Sequence, residues 1–346
     1  MKHFLPFAAI LMSLTSCGSN YKNLDIVEFE KTIADGAAAV VDVRTPDEYA
    51  AGHLHGAANC DWYASDFLAQ IKSTYPKGTP LAIYCRSGKR SAAAAKKLAK
   101  AGYEVFNMTG GYLAWTEAGK PTTTYEVDTF FTDSGTPVAI TLIKHGTLAI
   151  SYKGKSIHID PVGGLGKPTD YAAEFPKADA IIITHEHGDH LDKMAIEALY
   201  EEGETAVITN ANCAEMLGLG TAMANGESKK LFDEIDLEAV PAYNYTEGHT
   251  MFHPKGRDNG FVLTMDGLRI YIAGDTEDIP EMADLKDIDV AFLPVNQPYT
   301  MTVEQCINAA KTIEPKVLIP YHFSDTDLSD LPDQLPGIKV LLRQMQ

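Results

Sequence analysis

Ala178-Asp179-Ala180-Ile181-Ile182-Ile183-Thr184-His185-Glu186-His187-Gly188-Asp189-His190 decides the fold of the larger part of this chain. A short run of β-branched residues, of the kind that fills a buried strand, ends at Thr184. Four metal-ligating side chains, His185, His187, Asp189 and His190, then follow within six residues. A tight turn after the strand lets His185 and His187 face one metal while Asp189 and His190 face a second, and Gly188 supplies the backbone freedom for it. Imidazoles and a carboxylate with no cysteine among them describe an open, catalytic site, since structural zinc favours closed, cysteine-rich sets.

Further ligands are expected where other strands exit, at Asp275 after residues 269–272 and at His322 after residues 317–320. Short β-runs at 138–143, 147–152, 156–159, 181–184, 261–265, 269–272 and 290–293 come first as hairpins and later alternate with helical stretches. That order predicts a layered α/β sandwich.

Upstream, apolar runs lead into Asp42-Val43-Arg44 and into Cys85, and the second is followed by an alanine- and lysine-rich helix to Lys100. This alternation predicts a small α/β domain with parallel strands. In Cys85-Arg86-Ser87-Gly88-Lys89-Arg90-Ser91, backbone N–H groups and the positive helix end converge on the sulfur. Arg86, Lys89 and Arg90 add charge that lowers the thiol pKa and attracts an anionic sulfur donor such as thiosulfate, with Cys85 as nucleophile. The loop between Cys85 and Arg90 is shorter than the one cysteine phosphatases wrap around phosphate, and it suits a persulfide.

With Val40-Val41-Asp42-Val43-Arg44, Glu48-Tyr49, Gly52-His53-Leu54-His55-Gly56-Ala57 and Gly110-Gly111-Tyr112-Leu113-Ala114-Trp115, the first segment resembles a single-domain rhodanese over about residues 25–120. His55 stands where that family commonly carries proline. The resemblance implies that Cys85 carries sulfane sulfur and that Asp42 and Arg44 hold the loop's architecture.

Over about residues 137–325 the chain resembles the metallo-β-lactamase superfamily, which implies Asp275 as metal-bridging carboxylate, His322 as last histidine ligand and Asp160 as a support behind the ligands. Pro241-Ala242-Tyr243-Asn244, Tyr271-Ile272-Ala273-Gly274-Asp275-Thr276 and Pro320-Tyr321-His322 are similar to the branch containing ascorbate-phosphate lactonase and an acylethanolamine-releasing phospholipase D. That branch places a histidine ligand at the position of Asn244; His253 is the expected substitute, with His249 in reserve. The isolated His3, His53, His55, His145 and His158 read as ordinary polar contacts.

The fold expected is therefore α/β throughout, a small rhodanese-like domain followed by a four-layer αββα metallo-β-lactamase sandwich. The 346 residues divide into a lipoprotein signal peptide at 1–17, the rhodanese-like domain at 18–119, a linker at 120–136 and the sandwich at 137–346. Met1-Lys2-His3, an apolar run and Leu14-Thr15-Ser16-Cys17 resemble a bacterial lipobox, which implies export, a lipid anchor through Cys17 and a periplasmic location. The five cysteines form no C-x-x-C pair, so cysteine here serves chemistry and not scaffolding.

Forty-seven acidic against 29 basic residues give a net charge of -18, which argues against nucleic acid and for a small-molecule or lipid-like substrate. The expected reaction is water attack on an ester, lactone, amide or phosphodiester at two zinc ions, or manganese or iron, with Asp189 orienting the water. Two other functions fit the same residues: an iron-dependent persulfide dioxygenase coupled to Cys85, and a non-catalytic sulfur-relay or binding lipoprotein.

Overall fold

The computed structural model describes residues 21–345; the expected signal peptide and Cys17 lie outside the described residues. The first domain is built on β1 (Tyr21–Leu24), β2 (Ala39–Asp42), β3 (Ala57–Asn59), β4 (Leu81–Tyr84) and β5 (Val105–Met108). They form one parallel sheet in the order β1-β5-β4-β2-β3. Every residue of β2 and β4 is buried, as expected of central parallel strands with helices on both faces. Asp42 pairs with Tyr84 in register, so Asp42 and the thiol loop at Cys85 leave the sheet side by side.

The second domain has two sheets. One holds β6 (Glu126–Phe131), β7 (Pro137–Lys144), β8 (Thr147–Tyr152), β9 (Lys155–Ile159), β10 (Ala180–Ile182), β11 (Ala206–Thr209) and β12 (Thr221–Ala222), ordered from β12 to β6. The other holds β13 (Ser228–Phe232), β14 (Ile235–Ala242), β15 (Asp258–Met265), β16 (Leu268–Ile272), β17 (Val290–Pro294), β18 (Val317–Tyr321) and β19 (Lys339–Val340), in chain order. Ile140, Ile150 and Ile182 from one sheet meet Leu237, Phe261 and Phe292 from the other in the central core. On the outside, Ala195, Ile196 and Leu199 of the helix Lys193–Leu199 pack on Ile181 and Ile183. Across the molecule, Cys306 and Ala310 of the helix Val303–Ile313 pack on Ala291 and Leu318. The layers run helix, sheet, sheet, helix, as the sequence predicts.

The stretch expected to be a linker at 120–136 is only partly one. Residues 126–131 are β6, which pairs antiparallel with β7 from Glu126↔Leu142 to Phe131↔Pro137. The physical reason is its alternating pattern, in which Val127 turns inward between the polar Glu126 and Asp128. Thr123 also bridges back to His53 in the first domain. At a second contact, a Cβ on Gly36 would meet the Gly154 backbone nitrogen at 2.9 Å, so the two backbones touch directly. Between the domains lies a cavity of about 230 Å³ lined by Ile33, His55, Thr129, Ala139, Thr141 and Phe175.

His53 makes the polar contacts expected of it, 2.9 Å to the carbonyls of Tyr49 and Tyr125. His55 and His158 do not: both nitrogens of His158 and Nε2 of His55 are buried without a hydrogen-bond partner, and both rings pack against Phe175. The described residues contain no helix long and apolar enough to cross a membrane.

Candidate metal centre

Strand ends deliver the centre. The turn after β10 carries His185, His187, Asp189 and His190; β16 leads to Asp275 and β18 to His322. The loop between β14 and β15 brings His253. Their ligand atoms gather into adjoining groups: His185, His187 and His253; His185, His190 and Asp275; and Asp189, His190 and His322 together with His145.

Asp275 sits at the middle. Its oxygens lie 3.3 Å from His190 Nε2, 3.2 Å from His322 Nε2, 3.5 Å from His253 Nε2 and 3.8 Å from His185 Nε2. Donors held at zinc bond lengths and tetrahedral angles stand roughly 3.3–3.6 Å apart. The Nε2 atoms of these four histidines and Oδ1 of Asp275 are all buried without a hydrogen-bond partner. Buried polar atoms are normally satisfied, so this convergence of partnerless lone pairs fits divalent cations.

Groups behind the ligands fix the rings. Asp160 Oδ2 is 2.8 Å from His190 Nδ1, while its two oxygens accept from the Thr184 N–H and hydroxyl, each at 2.7 Å. Thr184 Oγ1 is also 3.0 Å from His185 Nδ1, and Asp258 Oδ2 is 2.9 Å from His253 Nδ1. With Nδ1 turned to a carboxylate or hydroxyl, Nε2 is left for a metal. His145, Asp160 and His322 all have positive φ, of 49°, 43° and 48°. Such backbone is strained for non-glycine residues and collects at functional sites.

Charge in the cluster is balanced by position. Burial and its histidine neighbours hold His185 well below the usual imidazole range. At His322 burial opposes protonation, but Asp275 and Asp189 outweigh it and push the ring up to about 10. Asp275 is held well below the ordinary carboxylate range, because His322 and His190 overcome the cost of burial. Protons and metal therefore compete for the same nitrogens.

The sequence-expected ligands His185, His187, Asp189, His190, His253, Asp275 and His322 are brought together. Asn244 does not face the cluster as a ligand; its side chain donates to the Tyr299 carbonyl at 2.7 Å. His249 sits 3.3 Å from Glu277, which leaves His253 as the substitute in the centre. His145 is the residue that sequence reasoning missed. Read as an ordinary polar contact, it makes one within the centre itself, 3.1 Å from Asp189 Oδ2, with its ring tilted against that of His322 at 3.7 Å between centroids. A signal was present: it stands at the end of an apolar strand, as His185 and His322 do. Gly146 beside it leaves room for a ligand, since a Cβ there would lie 2.7 Å from the His190 ring.

In the first domain Cys85 is fully buried at the base of its loop, with Ser91 Oγ 3.5 Å from the sulfur. Burial alone would raise its pKa, but the Ser91 hydroxyl and the N–H groups of Ser91, Ser87 and Gly88 bring it below the ordinary thiol value. Hydrogen bonds at the helix start are thus the leading source of the lowering, and Arg90 also interacts with the sulfur through its charge. Arg86 and Lys89 are exposed, whereas Arg90 is held by both oxygens of Glu48 at 2.7 Å. Arg44 is paired with Asp42 at 2.6 Å, donates to the Gly52 carbonyl at 2.6 Å and lies over the Tyr112 ring, which makes it architecture. Gly111 closes against the loop: a Cβ there would lie 2.2 Å from the Cys85 carbonyl oxygen.

A family model described as a beta-lactamase superfamily domain matches residues 139–322, and one described as a rhodanese-like domain matches residues 25–118. A UPF0173 metal-dependent hydrolase from Bacillus mycoides is 32% identical over 191 residues, covering 52% of this chain and 82% of that protein. A solved structure described as a metal-dependent hydrolase from Parabacteroides distasonis is 54% identical with a TM-score of 0.62, over 64% of this chain and all of that one. Igni18, a metallo hydrolase from Ignicoccus hospitalis, is 27% identical with a TM-score of 0.52, over 60% of this chain and 95% of that one. The chain belongs to the beta-lactamase superfamily and carries a rhodanese-like domain ahead of that domain.

Proposed function

We propose that the second domain is a dinuclear metal-dependent hydrolase, with zinc as the metal, and that the first is a sulfurtransferase working through a Cys85 persulfide. The observation that carries the hydrolase reading is the ring of buried, partnerless Nε2 atoms around Asp275. His185, His187 and His253 would hold one ion, Asp189, His190 and His322 the other, and Asp275 both. Two such ions supply Lewis acidity and a water of lowered pKa; manganese or iron would suit the same donors. Asp189, with its side chain 37% exposed, opens toward solvent and is the group to orient the attacking water and take its proton. The named activity of the relatives supports hydrolysis, of an ester, lactone, amide or phosphodiester. A full donor set for two ions favours this over a mononuclear iron persulfide dioxygenase.

At Cys85 the thiolate would attack the sulfane sulfur of thiosulfate, releasing sulfite and leaving a persulfide for a nucleophilic acceptor. We further propose, from the lipobox-like start, that the protein is exported and lipid-anchored at Cys17; palmitate labelling lost in Cys17→Ala tests it.

Elemental analysis of the purified protein tests the hydrolase reading. About two zinc or manganese ions per chain, with chelator-sensitive turnover of a lactone, ester or phosphodiester, is the expected result; a single iron with oxygen-dependent persulfide consumption overturns it. Thiosulfate:cyanide sulfurtransfer abolished by Cys85→Ala is the expected result for the first domain, and unchanged transfer overturns it.

A further inference from the structure

His145 has no assigned part in the reading above, yet the fold goes to some length to hold it at the centre. Its N–H donates to the Met345 carbonyl at 2.6 Å, and its own carbonyl accepts from the His322 N–H at 3.1 Å. It keeps a positive φ of 49° in doing so. Met345 is itself buried, in the central core, and Arg343 two residues earlier grips Asp128 of β6 with bonds of 2.9 and 2.7 Å. The last strap of described chain, the β7–β8 turn and the His322 turn are therefore one hydrogen-bonded unit.

The side chain that this unit presents differs in its contact from the four histidines around Asp275. His185, His190, His253 and His322 all reach Asp275 within 3.8 Å, whereas the contact of His145 is Nε2 to Asp189 Oδ2 at 3.1 Å. Its ring is tilted by 41° against the His322 ring, 3.7 Å between centroids, so the two imidazoles are in direct contact. The ligand atoms of His145, Asp189, His190 and His322 form one group, and Asp275 lies 3.3 Å from His190 and 3.2 Å from His322, so with Asp275 the second ion has four donors, the number zinc needs, without His145. Asp189 is also the most exposed side chain of the set, at 37%, and has the greatest freedom to turn away.

We propose that His145 is a positioning residue of the second metal position: its Nε2–H donates to Asp189 Oδ2, fixes the carboxylate over the ion, and is itself kept in place by the Met345 strap. This rests on the dinuclear reading. Carboxylate and imidazole ligands held by such outer partners typically lose ten- to hundredfold in metal affinity when the partner is removed.

The test is a zinc titration of the metal-stripped full chain against a chelating dye, on wild type, His145→Ala and His145→Gln. Glutamine can place an amide N–H where the imidazole Nε2–H stood but is a poor zinc ligand. The expected result is that His145→Ala weakens the second ion ten- to hundredfold with the first unchanged, and that His145→Gln recovers most of the loss. Unaltered binding of both ions by His145→Ala overturns the proposal. Equal loss in both variants also overturns it, because the ring would then be a ligand. If His145→Ala loses both ions through misfolding, recovery or failure in His145→Gln decides in the same way. A wild type that binds one ion overturns the dinuclear reading and this inference with it; two ions in wild type and an indifferent His145 overturn the inference alone.

Discussion

The Asn244 backbone N–H donates to the His253 carbonyl across 2.8 Å. The position where the resembled branch carries a ligand thus holds, through its main chain, the loop that supplies one instead. Its side chain ties the same loop to the Tyr299 carbonyl. His253→Ala should therefore bind one metal ion fewer per chain than wild type, while His249→Ala, whose ring faces Glu277, should bind the full number. Elemental analysis of the two variants checks this, and the reverse result would reassign the ligand.

Asp160 connects His190 with the strand end at Thr184. Asp160→Asn keeps the shape and a residue type that tolerates positive φ, but removes the charge that favours a metal-ready Nε2 on His190. Metal affinity about ten- to hundredfold weaker, with little change in the far-ultraviolet circular dichroism, is the expected outcome.

The Cys85 thiol is held below its ordinary value by hydrogen bonds against the effect of burial. An acid with a lowered pKa is ionised at lower pH, so iodoacetamide alkylation of Cys85 should reach half its maximal rate below the ordinary thiol value of 9.0. Ser91→Ala removes the nearest side-chain donor and should move that midpoint upward. A midpoint that does not move would mean that the backbone N–H groups suffice.

His158 and His55 make the domain interface acid-sensitive. Burial pushes His158 down to about 3 from 6.5, and His55 to about 4. Well above pH 6.5 both rings are neutral in the folded and unfolded chain and contribute nothing. Below it the unfolded chain takes up protons that the folded one refuses, so stability falls until the folded pKa values are passed. For His158 the loss at pH 5 is roughly 2 kcal/mol. His158→Phe should flatten the fall in urea-unfolding free energy between pH 7 and pH 5 by about that amount. An unchanged pH slope would count against the burial of that ring.

Much of the centre was legible because its ligands follow apolar runs that can only be strands. His185 to His190 sit in one short segment after Ile181 to Ile183, and Asp275 and His322 each end a run of the same kind. The thiol loop was legible for a similar reason, lying between a buried strand and a helix. His145 escaped because a lone histidine in a hairpin turn has no spacing partner nearby, and only the return of the chain at Met345 and His322 gives it neighbours. Among the strands not anticipated, β6, β13 and β14 are edge or half-exposed strands whose charges dilute the pattern: Lys229 and Lys230 in β13, and Asp236 and Glu238 in β14. The pairing of Arg90 with Glu48 was not legible, since the two are remote in sequence.

β6 also sets how this protein can be taken apart. Its residues precede the matched segment of the second domain, yet they form the rim of that domain's sheet and anchor the tail through Asp128. A gene trimmed to begin at Pro137 would encode a sheet with a raw edge at β7, exposed to pairing with a second copy. Dissection, swapping with other rhodanese-like partners, or insertion of a spacer belongs in the short segment ahead of Glu126, where Thr123 still reports on whether the halves remain docked.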